Sequence, residues 1–213
     1  MFYLFVFLPV FFSCRQEEDK MFVSLSASKI NISFPNNLED KPNLGIFYYI
    51  HYYNGGAVAV VDINKDGLPD IYFIANSKGK NKLYLNKGNF EFEDITENAG
   101  VARSSDWCSG ITMANVNGDG LPDTYVCANA NTQGLTGHNE LFINNGNCKF
   151  TLSAAAYGLD FSGYSTKAVF FDYDHDGDID CYILNQSEHP NQHISDTSNR
   201  RNPDTSVPEI MIS

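Results

Sequence analysis

Three short apolar runs along the chain each lead into an aspartate-rich loop and are followed by a second run of β-branched and aromatic residues. The segments read VVDINKDGLPDIYFIA from Val60, MANVNGDGLPDTYVCA from Met113 and FFDYDHDGDIDCYILN from Phe170. Runs of this length and composition predict two antiparallel strands around each loop. The entering strands are predicted at 57–61, 111–114 and 168–171, and the leaving strands at 71–75, 124–128 and 181–184.

Two further strands are predicted in the first two repeats. A third strand, KLYLN from Lys82 or ELFIN from Glu140, is followed by a glycine-containing turn and then by FEFEDIT or CKFTLSA. Asparagine and glycine at such turns tolerate the positive φ that a tight hairpin needs. The third repeat is expected to stop after its second strand, because the segment 186–213 is polar, contains three prolines and has no strand pattern.

The spacing of the repeats predicts an all-β fold made of β-propeller blades. The fifth loop positions, Asp66, Asp119 and Asp176, are 53 and 57 residues apart, which suits four-stranded blades better than helical repeats. Three blades do not close a ring, so we expect an amino-terminal fragment, or closure by more sequence. The predicted divisions are a signal segment and tether (1–20), a lead-in (21–53), blade 1 (54–105), blade 2 (106–160), a partial blade 3 (161–185) and a polar tail or truncated insertion (186–213).

The three loops share a pattern of oxygen-bearing residues that suits Ca²⁺. Acceptors fall at loop positions one, three, five and nine, a glycine at position six permits a sharp turn, and position seven would offer its backbone carbonyl. An EF-hand is excluded, because its loop is longer, ends in glutamate and lies between helices. The expected ligand residues are Asp62, Asn64, Asp66, Leu68 and Asp70 in loop one, Asn115, Asn117, Asp119, Leu121 and Asp123 in loop two, and Asp172, Asp174, Asp176, Asp178 and Asp180 in loop three.

Carboxylate content ranks the three loops. Positions one, three, five and nine hold four carboxylates in loop three, three in loop one and two in loop two. Because carboxylates hold Ca²⁺ more strongly than amides do, the expected affinity order is three, one, two, on the scale of about 10⁻⁴ to 10⁻³ M known for extracellular modules. The expected role of the ion is structural. The alternative is that the Asp-Gly clusters only form hairpin turns.

These residues resemble the FG-GAP/VCBS repeats of the integrin α-subunit type of propeller. The resemblance covers about residues 21–191 and includes YYNGGAVAVVDINKDGLPDIYF, KLYLNKGNFEFEDITENAGV and WCSGITMANVNGDGLPDTYVC. It implies a propeller of about seven blades with calcium in the loops at one rim. The strongest likeness is to bacterial lipoproteins that carry such repeats before an ASPIC/UnbV domain.

The charge and the amino terminus indicate where the protein acts. The chain has 14 Lys and Arg against 26 Asp and Glu, and this net charge of -12 would repel nucleic acid. Residues 1–13 are apolar and have the length of a signal peptide core, and Cys14 follows a small residue. We therefore expect an exported outer-membrane lipoprotein with Cys14 lipidated, facing the periplasm or the cell surface. The alternative is an ordinary cleaved signal with a chance cysteine.

Other candidate sites are weaker. Cys108, Cys127, Cys148 and Cys181 have no CxxC spacing, so a zinc site is not expected, whereas one or two disulfides stay open. The pair His189 and His193 lies in a polar, proline-containing segment and is interpreted as a solvated loop. Trp107 is interpreted as a packing residue, with sugar stacking as the alternative.

The sequence favours a binding module over an enzyme. It contains no nucleophile elbow, phosphate-binding glycine loop or HExxH motif, and its carboxylate pairs lie in the expected calcium loops. We therefore expect a non-catalytic module for adhesion or for binding an unidentified protein or carbohydrate ligand. The alternative is the propeller of a polysaccharide-active lyase or hydrolase.

Overall fold

A computed structural model describes residues 20–38, 44–47, 49, 51–76, 81–102, 105–130 and 134–186, together with the backbone of 209–211. Three antiparallel sheets follow one another in chain order. Their strands are β1 (Ala57–Val61), β2 (Asp70–Ile74), β3 (Lys82–Asn86) and β4 (Phe92–Asp94) in sheet one, β5 (Cys108–Ala114), β6 (Asp123–Ala128), β7 (Glu140–Asn144) and β8 (Phe150–Leu152) in sheet two, and β9 (Ser165–Phe171), β10 (Asp180–Asn185) and β11 (Glu209–Met211) in sheet three.

The first two sheets are four-stranded meanders in the orders β1-β2-β3-β4 and β5-β6-β7-β8. This confirms the predicted all-β fold of four-stranded antiparallel blades. Short helical turns are the exception to the strands: α1 (Ala27–Ile30), α2 (Thr96–Ala99) and a 3₁₀ turn (Ala154–Tyr157). No helix in the described ranges has the length and apolar character needed to cross a bilayer.

The third sheet has one strand more than its sequence indicated. The expectation that this repeat stops after two strands is wrong, because β11 pairs antiparallel with β10. Its register repeats that of sheet two: Ile183 lies opposite Glu209 just as Val126 lies opposite Glu140. The pairing provides hydrogen-bond partners for an edge of β10 that would otherwise lack them.

The cores lie between the sheets. Alternate residues of a strand point to opposite faces, so Val126 of β6 joins the cluster against sheet one while Tyr125 joins the cluster against sheet three. All residues of β6 are buried, because both faces of sheet two are covered. In the first cluster, Tyr72 and Ile74 of β2 are fully buried with Ile111 of β5.

The segment before β1 covers part of sheet one. The Tyr84 hydroxyl donates to the Ser33 carbonyl at 2.6 Å, and the Phe34 ring stacks on Phe73 with the ring centroids 4.8 Å apart. Further along, Tyr49 packs against Trp107 with a centroid distance of 5.9 Å. Trp107 is only 4% exposed, which agrees with its interpretation as a packing residue.

No disulfide joins the four described cysteines, so the disulfides that the sequence left open do not form in this structure. Cys108 and Cys127 belong to different core clusters. Burial raises the pKa of the Cys181 thiol to about 12, which keeps the thiol protonated at neutral pH. Cys14 and the pair His189 and His193 lie outside the described residues.

Candidate metal centre

Each aspartate-rich loop joins the first two strands of its sheet. Backbone at position four adopts the left-handed conformation in all three loops, with φ values of 59° at Lys65, 74° at Gly118 and 64° at His175. Position six is glycine with positive φ each time, as the sharp turn requires. The three loops therefore share one fold despite their different sequences.

The ninth position of each loop anchors the turn to the sheet. Asp70, Asp123 and Asp180 are at most 2% exposed. One carboxylate oxygen of each accepts the backbone N–H of position two, at 2.9 Å from Ile63, 2.8 Å from Val116 and 2.7 Å from Tyr173. The sequence predicted these aspartates as ligands, and the structure places them at the base of each loop in an internal hydrogen-bond network.

The other oxygen of the ninth residue holds the third strand in the first two sheets. Asp70 accepts the backbone N–H of Asn86 at 2.8 Å, and Asp123 accepts that of Asn144 at 2.8 Å. The Asn144 side chain also donates to the Ile63 carbonyl of the neighbouring loop at 2.9 Å. The sequence pattern did not predict that Asn86 and Asn144 contact the loops. A signal was present, because both segments, NKLYLN and NELFIN, end in an asparagine at the same position.

The upper part of each loop is formed by short side chains that accept backbone N–H groups. In loop one, Asp62 accepts from Gly67 at 2.7 Å and Asp66 accepts from Leu68 at 2.8 Å. In loop three, Asp176 accepts from Asp178 at 2.9 Å. Positions one, three and five are thereby drawn together on the exposed side of the turn.

Loop three contains the densest group of carboxylates. One oxygen from each of Asp172, Asp174 and Asp176 lies within 4.8 Å of the others. In addition, Asp172 Oδ1 and its counterpart Asn115 Oδ1 in loop two are buried atoms without a hydrogen-bond partner. A buried oxygen without a partner is costly unless a ligand satisfies it.

The pKa values of the loop aspartates are shifted by different causes at different loop positions. Burial raises the pKa of Asp70 and Asp123, against the lowering effect of the backbone N–H groups that they accept. Loss of solvation, followed by the nearby Asp176 carboxylate, raises the pKa of Asp174. A divalent cation among these carboxylates would favour their charged forms and lower each pKa.

Loop two differs because a lysine from loop one reaches it. A side chain at Gly120 would place its first carbon 3.2 Å from Lys65 Nζ. The pKa of Asp119 is lowered by the Leu121 N–H and the Asn117 amide, with a contribution from the Lys65 charge. Loop two thus has few carboxylates and a lysine ammonium beside it.

Comparison with known proteins gave one family. A model described as an FG-GAP-like repeat matches residues 62–126 and again residues 115–183. Together the matches span residues 62–183, more than half of the 213-residue chain, and include all three loops. No curated protein matches the chain.

Proposed function

Because this chain belongs to the FG-GAP-like repeat family, as its residues predicted, we propose that its aspartate-rich loops bind Ca²⁺ and hold the blades of a non-catalytic binding module in place. The ion would be structural. It would neutralise carboxylates that repel one another at the rim of the blades. It would also fix the loop between the first two strands of each sheet.

The observation that carries this proposal is the arrangement of loop three. Three carboxylates converge within 4.8 Å, and one of their oxygens is buried without a partner. Hard oxygen ligands on a tight loop are what Ca²⁺ prefers. Asp172, Asp174 and Asp176 would supply side-chain oxygens, and Asp178 would supply its backbone carbonyl while its own carboxylate stays free.

The same reasoning supports the expected order of affinities. Loop two has only two carboxylates at the ligand positions, and the Lys65 ammonium beside Asp119 would oppose a cation there. Loop one keeps Asp62, Asp66 and Asp70. We therefore propose that loop three binds first, loop one second and loop two last.

We further propose that the module acts outside the cytoplasm as part of a lipoprotein anchored through Cys14, where millimolar Ca²⁺ would saturate such loops. Its role there would be adhesion or the binding of a protein or carbohydrate. Activity on an acidic polysaccharide is the competing function, and a screen of the full chain for lyase and hydrolase products separates the two.

The double variant Asp172→Asn/Asp176→Asn is expected to weaken the tightest Ca²⁺ site by about tenfold or more, because two charged ligands become neutral. Calorimetric titration of Ca²⁺ into the chelator-treated chain measures the affinity, and thermal unfolding with and without Ca²⁺ measures the accompanying stabilisation.

The matched control is Asp178→Asn, which removes one charge from the same loop but leaves the proposed side-chain ligands intact. It should retain the affinity to within about threefold, as expected for loss of one exposed charge. Absence of heat and of thermal stabilisation at millimolar Ca²⁺ would reduce the loops to turns and overturn the proposal.

A further inference from the structure

A pocket of about 270 Å³ lies between loop two and loop three. Its lining includes the apolar residues Leu159, Phe170 and Cys181, of which Leu159 and Cys181 are buried, together with the exposed Gly118 of loop two and Asp178 of loop three. This is below the roughly 300 to 1,000 Å³ of sites for drug-sized molecules, so it suits a single side chain. No sequence motif predicted this pocket.

At the corresponding place between loop one and loop two, the exposed side chain of a lysine bridges the two loops. Lys65 and Gly118 occupy the same loop position with the same left-handed backbone. The Lys65 ammonium reaches across to Gly120 of loop two, and Gly120 is the counterpart of Gly177, which lines the pocket. Loop two has Gly118 at this position, so no side chain extends from it toward loop three, and the pocket remains open.

The chemistry of the pocket suits a lysine side chain. An aliphatic stem could lie on Leu159 and Phe170, and its terminal cation could reach the Asp178 carboxylate. Asp178 is exposed, and its counterparts in the other loops are Leu68 and Leu121, so a carboxylate at this position occurs only in loop three. Even with one Ca²⁺ bound, the five aspartates of loop three would keep a net negative charge.

We propose that the pocket between loops two and three binds a lysine side chain of a protein partner, with its stem on Leu159 and Phe170 and its ammonium at Asp178. The inference rests on the proposed binding function. The proposed contacts of the lysine are with protein groups and do not include the Ca²⁺ ion. The internal Lys65 contact is the precedent for a lysine between two successive loops. Asp178, which the Lys65 site lacks, would give the ammonium a carboxylate partner in the pocket.

The test follows backbone amide signals of the full chain by NMR during titration with Nα-acetyl-lysine N-methylamide at saturating Ca²⁺. Saturable shifts are expected at Gly118, Leu159 and Asp178. The norleucine analogue, which lacks the ammonium, should bind several-fold more weakly. Asp178→Asn should weaken lysine binding by about threefold to fivefold, the range of a partly exposed ion pair, whereas Asp160→Asn, on another exposed aspartate, should not.

A tethered lysine provides a second test. A carbon added at Gly118 would meet no atom within 4 Å. A lysine tolerates the left-handed backbone of this loop position, because Lys65 at the equivalent position of loop one has a φ of 59°. Gly118→Lys should therefore fold, occupy the pocket and abolish binding of the lysine analogue. Gly118→Asn, whose short side chain also tolerates this backbone but cannot span the pocket, should bind almost as wild type does.

Each outcome decides the inference independently of calcium. Equal shifts with the lysine and norleucine analogues, or unchanged binding in Gly118→Lys, would overturn it. A stronger response to a polyamine or an amino sugar than to the lysine analogue would also overturn it, because the ligand would then not be a protein. Ca²⁺ titration of the same samples reports separately on the metal, so lysine binding without Ca²⁺ binding would overturn only the calcium proposal.

Discussion

Asp123→Ala is expected to lower the free energy of unfolding by about 3 kcal/mol, because it leaves two backbone N–H groups without their acceptor. Asp123 is fully buried and accepts from Val116 and from Asn144, both at 2.8 Å. Its loss would free both the base of loop two and the end of β7. Urea unfolding followed by the fluorescence of the only tryptophan, Trp107, measures the change. Chelator in the buffer keeps metal binding out of the comparison.

Two variants control this prediction. Asp123→Asn keeps one acceptor oxygen and should lose roughly half as much stability. Asp119→Ala removes an exposed carboxylate from the same loop and should cost about 1 kcal/mol or less. Equal effects of Asp123→Ala and Asp119→Ala would show that the ninth residue does not anchor the loop.

Gly110→Ala is expected to destabilise the protein by about 3 kcal/mol, because the backbones of two sheets approach each other at this glycine. A carbon added at Gly110 would lie 2.2 Å from the Thr166 carbonyl oxygen and 3.2 Å from the Lys167 Cα. Backbone atoms cannot rotate away as side chains do, so β5 and β9 would have to separate. Thermal and urea unfolding of the variant measure the loss.

The control is Gly45→Ala, where an added carbon meets no atom within 4 Å. It should change the free energy of unfolding by less than about 1 kcal/mol. A Gly110→Ala variant as stable as Gly45→Ala would mean that sheets two and three do not pack as closely as described. Ser109→Ala removes the hydrogen bond from the Ser109 hydroxyl to the Ser165 carbonyl and is expected to weaken the same contact between β5 and β9.

Local pattern was enough to predict most of the strands. KLYLN and ELFIN are strands with the predicted bounds, because each combines β-forming residues with a clear turn on its carboxyl side. Strands β5 and β9 begin earlier than predicted, since hydrophobicity alone did not include Ser109 and Thr166. Their hydroxyls donate to carbonyls of neighbouring strands, which makes these polar residues compatible with a strand.

The third strand of the last repeat shows a different limit. EIM is a short segment far along the chain from Asn185, and its surroundings resemble a polar tail. What it shares with ELFIN is an initial glutamate followed by apolar residues, a signal too short to separate from chance. Its pairing with β10 depends on an edge that only the folded sheet presents.

The sequence by itself determined the repeat, the four-stranded unit and the three acidic loops, because strand periodicity and turn chemistry are local properties that recur at each copy. Tertiary structure alone decided how the loops are anchored and how the copies differ. It buried the ninth aspartates against partners up to 21 residues away, brought Lys65 to the neighbouring loop and left a pocket beside Gly118. The Lys65 contact and the pocket arise between repeats whose equivalent positions are more than 50 residues apart. There the packing of two surfaces, rather than the preference of either segment, sets which groups meet.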